Sequence, residues 1–232
     1  MSAKPTVLLV HGFWGDATHW AKVIVELNRR GFESIKAVEL PLTSLGDDAT
    51  RTQQMIKQVD GPVLLVGHSY GGAVLSEAGN LPNVVGLVYV AAFAPDKGES
   101  LATISTHGEA PGGANVAPDS DGFLWLNPAK FKESFCQDVD DDEALVMAVT
   151  QKAPVGSVFV DEVSVDPAWQ NKPTWYLVST QDRMVAPEVQ RWLAGRMSPR
   201  KTVEVDASHS SMASQPGAVV DLIEAATRDL GL

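Results

Sequence analysis

A glycine-rich segment holds the serine best placed to act as a nucleophile. The pentapeptide GHSYG at residues 67–71 directly follows the apolar run 62–66 and opens the helix-compatible stretch 69–79. In a sharp strand-to-helix turn, the central hydroxyl projects above a sheet near a helix N-terminus, where developing negative charge is favoured. The flanking glycines lack a Cβ and let neighbouring chain pass closely. The pattern predicts that Ser69 is a nucleophile rather than a helix-capping serine.

A serine hydroxyl needs a base, and the positions of the histidines decide between the candidates. In parallel α/β sheets, functional side chains gather at the carboxyl ends of the strands. His209 follows the last strand-like run, 202–205, and precedes the final helix-like stretch. We therefore expect His209 to be the base and His68, inside the turn, to shape it. The other histidines are not assigned to the reaction: His11, expected to support its loop, His19 and His107.

The base in turn needs a carboxylate that fixes its tautomer and stabilises the imidazolium. Asp182 follows the apolar run 174–179, which places it at the sheet edge expected for His209. Asp96 follows an earlier strand-like run, and Asp206 lies close enough to His209 for a bond within one loop. Asp182 is the preferred acid, with Asp96 and Asp206 as alternatives.

The loop after the first strand, HGFWG at residues 11–15, is the second segment with chemical meaning. Acyl transfer requires N–H donors aimed at the oxygen that becomes negative. One expected donor is the backbone amide of Tyr70, directly after the nucleophile, and the other is the amide of Phe13. Gly12 and Trp14 of the same loop are expected to contact the substrate.

The elements that must position these groups alternate between strand-like runs and helix-period stretches. The strand candidates are 6–10, 34–40, 62–66, 84–91, 174–179 and 202–205. The expected helices are 17–30, 46–59, 69–79, 187–197 and 216–230. Near-continuous apolar strands are typical of a parallel sheet covered by helices on both faces. The expected fold class is therefore α/β, with a mostly parallel sheet of about six strands.

Residues 95–172 break this alternation and are expected to form a lid inserted between the fourth and fifth strands. The chain is interpreted as a single domain, 1–232, whose core is 1–94 and 173–232. Short helices are expected within the insertion at 127–137 and 141–152. Its aromatic residues are Phe123, Trp125, Phe131 and Phe135. Aromatic residues of a lid can line an apolar pocket, and Trp125 is expected to contact the substrate.

Composition limits the possible classes of function. The 232 residues are 44% hydrophobic and 20% charged, which is typical of a globular domain. The net charge of -11 disfavours nucleic acids and anionic membranes, because phosphates would be repelled. A single cysteine, Cys136, no signal-peptide pattern and no apolar stretch approaching about 20 residues predict a cytoplasmic protein. We expect a small-molecule substrate, no cofactor and no metal, and make no prediction of oligomeric state.

Together, the HGF loop, the GHSYGG turn, Asp182 and His209 resemble the α/β-hydrolase superfamily over essentially the whole chain. This resemblance implies a triad of Ser69, His209 and Asp182 and cofactor-free acyl transfer through an acyl-enzyme. The compact size and turn sequence are similar to the branch that holds small carboxylesterases and plant hydroxynitrile lyases. Lyases of that branch usually carry Thr and Lys where this chain has Gly12 and Ser210. Both departures favour ester hydrolysis over cyanohydrin cleavage.

The expected activity is hydrolysis of small to medium, fairly apolar carboxylic esters. Two other classes remain open, because a fold alone does not decide function. One is a lyase on the same fold, and the other is a ligand-binding protein that retains the triad without using it. Ester turnover, cyanide release and labelling by a fluorophosphonate distinguish the three classes.

Overall fold

The computed structural model describes residues 4–232. Residues 1–3 lie outside the described residues. They begin the predicted core 1–94 and the N-terminal segment to which the signal-peptide expectation applies.

A parallel sheet organises the chain. Over residues 4–232 it has six strands, Thr6–Val10 (β1), Ile35–Val38 (β2), Val63–His68 (β3), Val84–Val90 (β4), Thr174–Ser179 (β5) and Lys201–Val205 (β6). Their spatial order is β2-β1-β3-β4-β5-β6, and each pair of neighbours runs parallel. The predicted fold class is confirmed, and the carboxyl ends of these strands share one edge of the sheet.

Helices connect the strands and cover the sheet. Their bounds are Ala21–Arg29 (α1), Leu45–Lys57 (α2), Gly71–Ala78 (α3), Leu101–Ser105 (α4), Phe131–Phe135 (α5), Asp141–Thr150 (α6), Pro187–Met197 (α7), Ser211–Ser214 (α8) and Pro216–Asp229 (α9). Short 3-10 segments are Ala17–Trp20, Pro111–Asn115, Pro128–Lys130, Gly156–Phe159 and Ala168–Gln170. In the described part of the chain, no helix is both long enough and apolar enough to cross a membrane.

Both faces of the sheet are buried, because successive side chains of a strand point to opposite faces. In β1, Val7 and Leu9 belong to an apolar cluster that also contains residues of α1 and α9. Leu8 and Val10 belong to the cluster on the other face, together with residues of α2, α3 and α7. All four side chains are fully enclosed. This two-sided burial explains why the strands read as continuous apolar runs.

Two predicted elements differ from the sequence expectation at their ends. The expected helix 17–30 is divided, because the Asp16 carboxylate accepts the Thr18 amide (2.6 Å) and caps a 3-10 turn before α1 begins. The expected strand 34–40 is shortened to β2. Leu40, the last residue of the expected strand, lies beyond β2 and donates its amide to the His11 ring instead of to a neighbouring strand.

The segment 95–172 contains α4, α5, α6 and a small antiparallel sheet formed by Val116–Pro118 and Leu124–Leu126. This small sheet was not predicted, because three-residue strands carry too little alternation to be recognised. Phe131 and Phe135 of α5 join the same apolar cluster as the helices α2, α3 and α7. The segment therefore shares the buried core of the sheet on that face.

Gly72, in the first turn of α3, has no room for a side chain. A Cβ here would lie 2.1 Å from the Phe93 carbonyl oxygen and 2.9 Å from the Ala92 Cβ. Since backbone would have to move, we expect Gly72→Ala to lower the free energy of unfolding by about 1–3 kcal/mol in urea denaturation.

Gly195→Ala in α7 is the matched control. Apart from its chain neighbours and the backbone of its own helix, no described atom lies within 4 Å of the position its Cβ would take. Alanine is favoured over glycine inside a helix by about 1 kcal/mol, so this variant should be slightly more stable than wild type. Equal destabilisation of the two variants would contradict the steric argument.

Candidate active site

Ser69 occupies a strained turn between β3 and α3. Its backbone is left-handed, with a φ of 54°, which is rare for a residue that has a Cβ. The Ser69 amide donates to the Val90 carbonyl (3.2 Å), and the Ser69 carbonyl accepts from the amides of Gly72 and Phe93 (both 3.0 Å). The turn is therefore held by α3 on one side and by the end of β4 on the other.

Glycines around Ser69 allow chain segments to approach it closely. A Cβ on Gly71 would lie 2.5 Å from the Val10 carbonyl oxygen, and a Cβ on Gly67 would lie 2.9 Å from the Gly71 backbone. Gly12 abuts Ser69 itself, since a Cβ there would lie 2.7 Å from the serine Cβ and 3.2 Å from Oγ. The structure thus places Gly12 against the candidate nucleophile, where a side chain would displace it.

His209 and Asp182 form a buried hydrogen-bonded pair. His209 Nδ1 donates to Asp182 Oδ2 at 2.6 Å, and both side chains are completely enclosed. Asp182 follows β5 and His209 follows β6, so both lie at the carboxyl edge of the sheet. Because Nδ1 carries the proton that faces the carboxylate, Nε2 is left as a proton acceptor. That Nε2 is buried and has no hydrogen-bond partner within residues 4–232.

The two alternative aspartates are engaged elsewhere or exposed. Asp96 Oδ1 accepts from Gln170 Nε2 at 2.9 Å in a solvent-exposed contact. Asp206 is exposed to solvent. Of the three carboxylates considered from the sequence, Asp182 is the one that the structure brings to His209.

Asp182 is held by donors from the loop after β5 and from α7. Its Oδ1 accepts from the amides of Met184 (2.7 Å) and Val185 (2.9 Å), and its Oδ2 accepts from Gln190 Nε2 (2.8 Å). Gln190 is fully buried, and its Oε1 accepts the Ser179 amide at 2.9 Å. Sequence reasoning missed Gln190, since a glutamine in a helix carries no signal of such a role.

Two further histidines lie near His209. His68 Nε2 donates to the His209 carbonyl oxygen at 2.8 Å, and the two ring centroids are 4.5 Å apart. Burial lowers the pKa of His68 well below its usual value, and burial lowers the pKa of His19 to about 4. Both rings are neutral near pH 7 and do not oppose a positive charge on His209. Along the described chain, no group of three or more His, Cys, Asp or Glu is placed to hold a metal ion.

His11 supports the loop that follows β1. Its Nε2 accepts the Leu40 amide at 3.0 Å, so its Nδ1 carries the proton and donates to the Gly12 carbonyl at 2.8 Å. The ring is fully buried, and this burial lowers the pKa of His11. The neutral ring ties the loop to the chain that leaves β2.

Phe13 and Tyr70, the expected sources of the oxyanion amides, lie side by side. Their rings are stacked, with centroids 4.2 Å apart and planes 20° from parallel. Tyr70 directly follows Ser69, and Phe13 and Trp14 border the same cavity as Ser69. Trp14 is fixed by its indole N–H, which donates to the Leu124 carbonyl at 2.9 Å.

Ser69 opens onto a cavity of about 560 Å³, a size typical of small-molecule sites. The 95–172 segment supplies apolar lining residues, among them Leu101, Val116 and Phe159. Glu109 is the one charged residue among the described residues that line the cavity. The site therefore favours apolar parts of a ligand and offers no cationic side chain to a negative one.

Trp125 is not among the residues that line this cavity, and its expected contact with a substrate stays a prediction. In the strand Leu124–Leu126 successive side chains alternate, and it is Leu124 that borders the cavity. Trp125 is 41% exposed, and its indole N–H donates to Asp119 Oδ2 at 2.8 Å.

The family of this chain follows from a direct match. Residues 7–222 match the Alpha/beta hydrolase family, so the chain belongs to that family. The resemblance expected from the HGF loop and the GHSYGG turn is confirmed.

Relatives come from the small esterase and lyase branch. A protein described as probable hydrolase R7, from Phoma sp., is 26% identical over 95% of this chain and 97% of its own length. Methylesterase 8 of Arabidopsis thaliana is 26% identical over 88% of this chain and 82% of its own. Alpha-hydroxynitrile lyase of the same plant is 23% identical over 99% of each. A solved pyrethroid hydrolase from Sphingobium faniae shares the fold, with a TM-score of 0.82, 20% identity and 97% coverage of each chain.

The contacts of Gln190 generate a prediction for Gln190→Met. Methionine keeps the volume but removes the donor to Asp182 Oδ2 and the acceptor for the Ser179 amide. We expect kcat of any reaction that uses His209 to fall about tenfold, well short of the ~10⁴-fold loss seen when a triad carboxylate is neutralised in a serine protease. The measurement is kcat for ester hydrolysis in Gln190→Met and wild type. Gln54, which is exposed, provides the control variant Gln54→Met. Wild-type kcat in the folded variant would contradict a positioning role for Gln190.

Proposed function

We propose that this protein is a serine esterase that hydrolyses small to medium, fairly apolar carboxylic esters. The observation that carries the proposal is the buried pair of His209 and Asp182. The His209 ring lies against the ring of His68, the residue directly before Ser69, with centroids 4.5 Å apart, and its Nε2 has no hydrogen-bond partner among the described residues. The hydrolase and methylesterase relatives support the same class of reaction. The apolar lining of the cavity supports an apolar substrate.

Acylation begins when His209 Nε2 takes the proton of the Ser69 hydroxyl as Oγ attacks the ester carbonyl carbon. The carbonyl oxygen becomes negative and accepts hydrogen bonds from the amides of Phe13 and Tyr70. Asp182 stabilises the imidazolium through the bond to Nδ1. The tetrahedral intermediate then breaks its bond to the alcohol oxygen, which leaves with the proton from Nε2.

Deacylation repeats these steps with water in place of the serine. His209 Nε2 takes a proton from water, whose oxygen attacks the acyl carbon under the same two amides. The bond to Ser69 Oγ breaks, and the serine recovers its proton from the imidazolium. The products are the alcohol and the carboxylic acid, and no cofactor is consumed.

The lyase similarity is the strongest reason to consider a second chemistry. The threonine that the resemblance associates with cyanohydrin cleavage would replace Gly12, where a Cβ would lie 2.7 Å from the Ser69 Cβ. The position after His209 is Ser210 in place of the lysine of those lyases. These two residues support ester hydrolysis over cyanohydrin cleavage.

Replacing the nucleophile tests the proposed reaction. We expect wild type to hydrolyse short p-nitrophenyl esters and Ser69→Ala to lose roughly 10³-fold or more in kcat, because the remaining site keeps only oxyanion stabilisation and binding. A fluorophosphonate probe should label wild type at Ser69, as read by peptide mass spectrometry.

The exposed Ser120→Ala is the matched control and should retain wild-type turnover. Undiminished activity in Ser69→Ala, or labelling at another residue, would refute the assignment. Cyanide release from cyanohydrins without ester turnover would support the lyase class. Tight ligand binding with neither labelling nor turnover would support a receptor.

Glu109 predicts discrimination between esters by charge. Its carboxylate is exposed at the cavity and would repel an anionic acyl chain. We expect a p-nitrophenyl ester with a terminal carboxylate to show lower kcat/KM than an uncharged ester of equal length. The ratio of kcat/KM for the uncharged ester to kcat/KM for the anionic ester should fall about two- to fivefold in Glu109→Gln. This is the scale of a solvent-exposed charge interaction.

The exposed Glu162→Gln, which changes the net charge equally but lies outside the cavity lining, is the control. High salt should reduce the ratio in wild type, because exposed charges are screened. An equal ratio in wild type and Glu109→Gln would show that this carboxylate does not act on the substrate.

A further inference from the structure

A buried carboxylate outside the proposed triad contacts the residue that directly follows Ser69. Asp48, in the first turn of α2, is fully enclosed. Its Oδ1 accepts the Leu42 amide at 2.8 Å, and its Oδ2 accepts the Tyr70 hydroxyl at 2.6 Å. Burial raises the pKa of Asp48 to about 6. Enclosing an ionisable group is costly, so a side chain placed this way calls for an explanation beyond packing.

The partner of Asp48 belongs to the proposed oxyanion site. Tyr70 directly follows Ser69, and its phenol ring is fully buried. The Tyr70 ring stacks on that of Phe13, with centroids 4.2 Å apart. A continuous series of contacts therefore runs from Asp48 through the Tyr70 ring to Phe13, and its last two members are the residues whose amides are the proposed donors.

Asp48 also fixes the chain that connects β2 to α2. Leu42, which it holds, has a left-handed backbone with a φ of 62°. The Leu42 carbonyl accepts the Val155 amide at 3.0 Å. Leu42 therefore connects Asp48 to the 95–172 segment through hydrogen bonds. Hydrogen bonds of Asp48 and Leu42 thus connect α2 with both the 95–172 segment and Tyr70.

We propose that Asp48 is a positioning residue for the oxyanion site. It fixes the Tyr70 phenol and, through the ring stack, Phe13, so that the two backbone amides meet the same oxygen. Donors held in place before the reaction need no reorganisation when the negative charge develops. This inference rests on the proposed esterase function and adds a residue that touches neither the substrate nor Ser69.

The test compares Tyr70→Phe, Asp48→Asn and the double variant with wild type. Tyr70→Phe removes the phenol oxygen alone and keeps the ring that stacks on Phe13. The measurements are kcat and KM for a short p-nitrophenyl ester, and the inhibition constant of a trifluoromethyl ketone. That ketone forms a tetrahedral adduct with a catalytic serine, so its affinity reports transition-state stabilisation.

We expect each single variant to lose about tenfold in kcat, with KM changed less than twofold and ketone affinity reduced by the same factor as kcat. Because Asp48 is proposed to act through the Tyr70 hydroxyl, Asp48→Asn should cause no further loss in the Tyr70→Phe background. Titration of active sites with a fluorophosphonate corrects kcat for any fraction that fails to fold.

Tyr89→Phe is the matched control. Tyr89 is a buried tyrosine of β4 whose hydroxyl lies 3.4 Å from Ser76 Oγ, and its variant should keep wild-type kcat and ketone affinity.

Three outcomes would overturn the positioning role. They are wild-type kcat per active site in Tyr70→Phe, loss of kcat with unchanged ketone affinity, and additive losses in the double variant. If wild type itself neither turns over esters nor reacts with the fluorophosphonate, the proposed function fails, and this result is distinct from all three.

Discussion

The left-handed backbone of Ser69 is the constraint to which the surrounding segments are fitted. A φ of 54° at a residue with a Cβ carries about 1–3 kcal/mol of strain, and it persists only where neighbouring structure fixes it. Trp14 and Ala91 are also left-handed, with φ values of 55° and 46°. These three residues follow β1, β3 and β4, so all three strained positions lie at the carboxyl edge of the sheet. Gly71 and Gly72 supply the clearance, since Cβ atoms there would collide with backbone of neighbouring segments.

The electrostatics of the site follow from the burial of its charged and polar side chains. The Asp182 carboxylate accepts from two amides, a glutamine and His209, so four protein donors stabilise its charge. The nearby rings of His68 and His19 stay neutral because burial lowers the pKa of each. Hydrogen-bond donors therefore balance the Asp182 charge beside His209, and the rings of His68 and His19 add no positive charge there. In a low-dielectric site, such interactions are stronger than they would be at the surface.

Local signals explain which features could be predicted from the sequence. The apolar strand runs and the GHSYG turn are contiguous, so the sheet, its order of elements and the position of Ser69 could be inferred directly. Asp182 could be preferred because chain order and strand ends limit the candidates. Gln190 and Asp48 could not, since their hydrogen-bond partners lie on other elements of the fold. The register of a three-residue strand leaves almost no sequence pattern. For that reason the sequence could not show that Leu124, and not Trp125, borders the cavity.

The groups of the proposed reaction and the walls around them come from different parts of the chain. Ser69, Asp182 and His209 lie on turns that follow strands of the sheet, whereas the 95–172 segment supplies much of the cavity lining. Substitutions in that segment can reshape the space without moving the strand ends that hold the reactive atoms. Selection can therefore change substrate preference and reactivity separately. In laboratory evolution toward new esters, libraries confined to residues 95–172 should yield altered selectivity with fewer inactive members than libraries spread over the sheet.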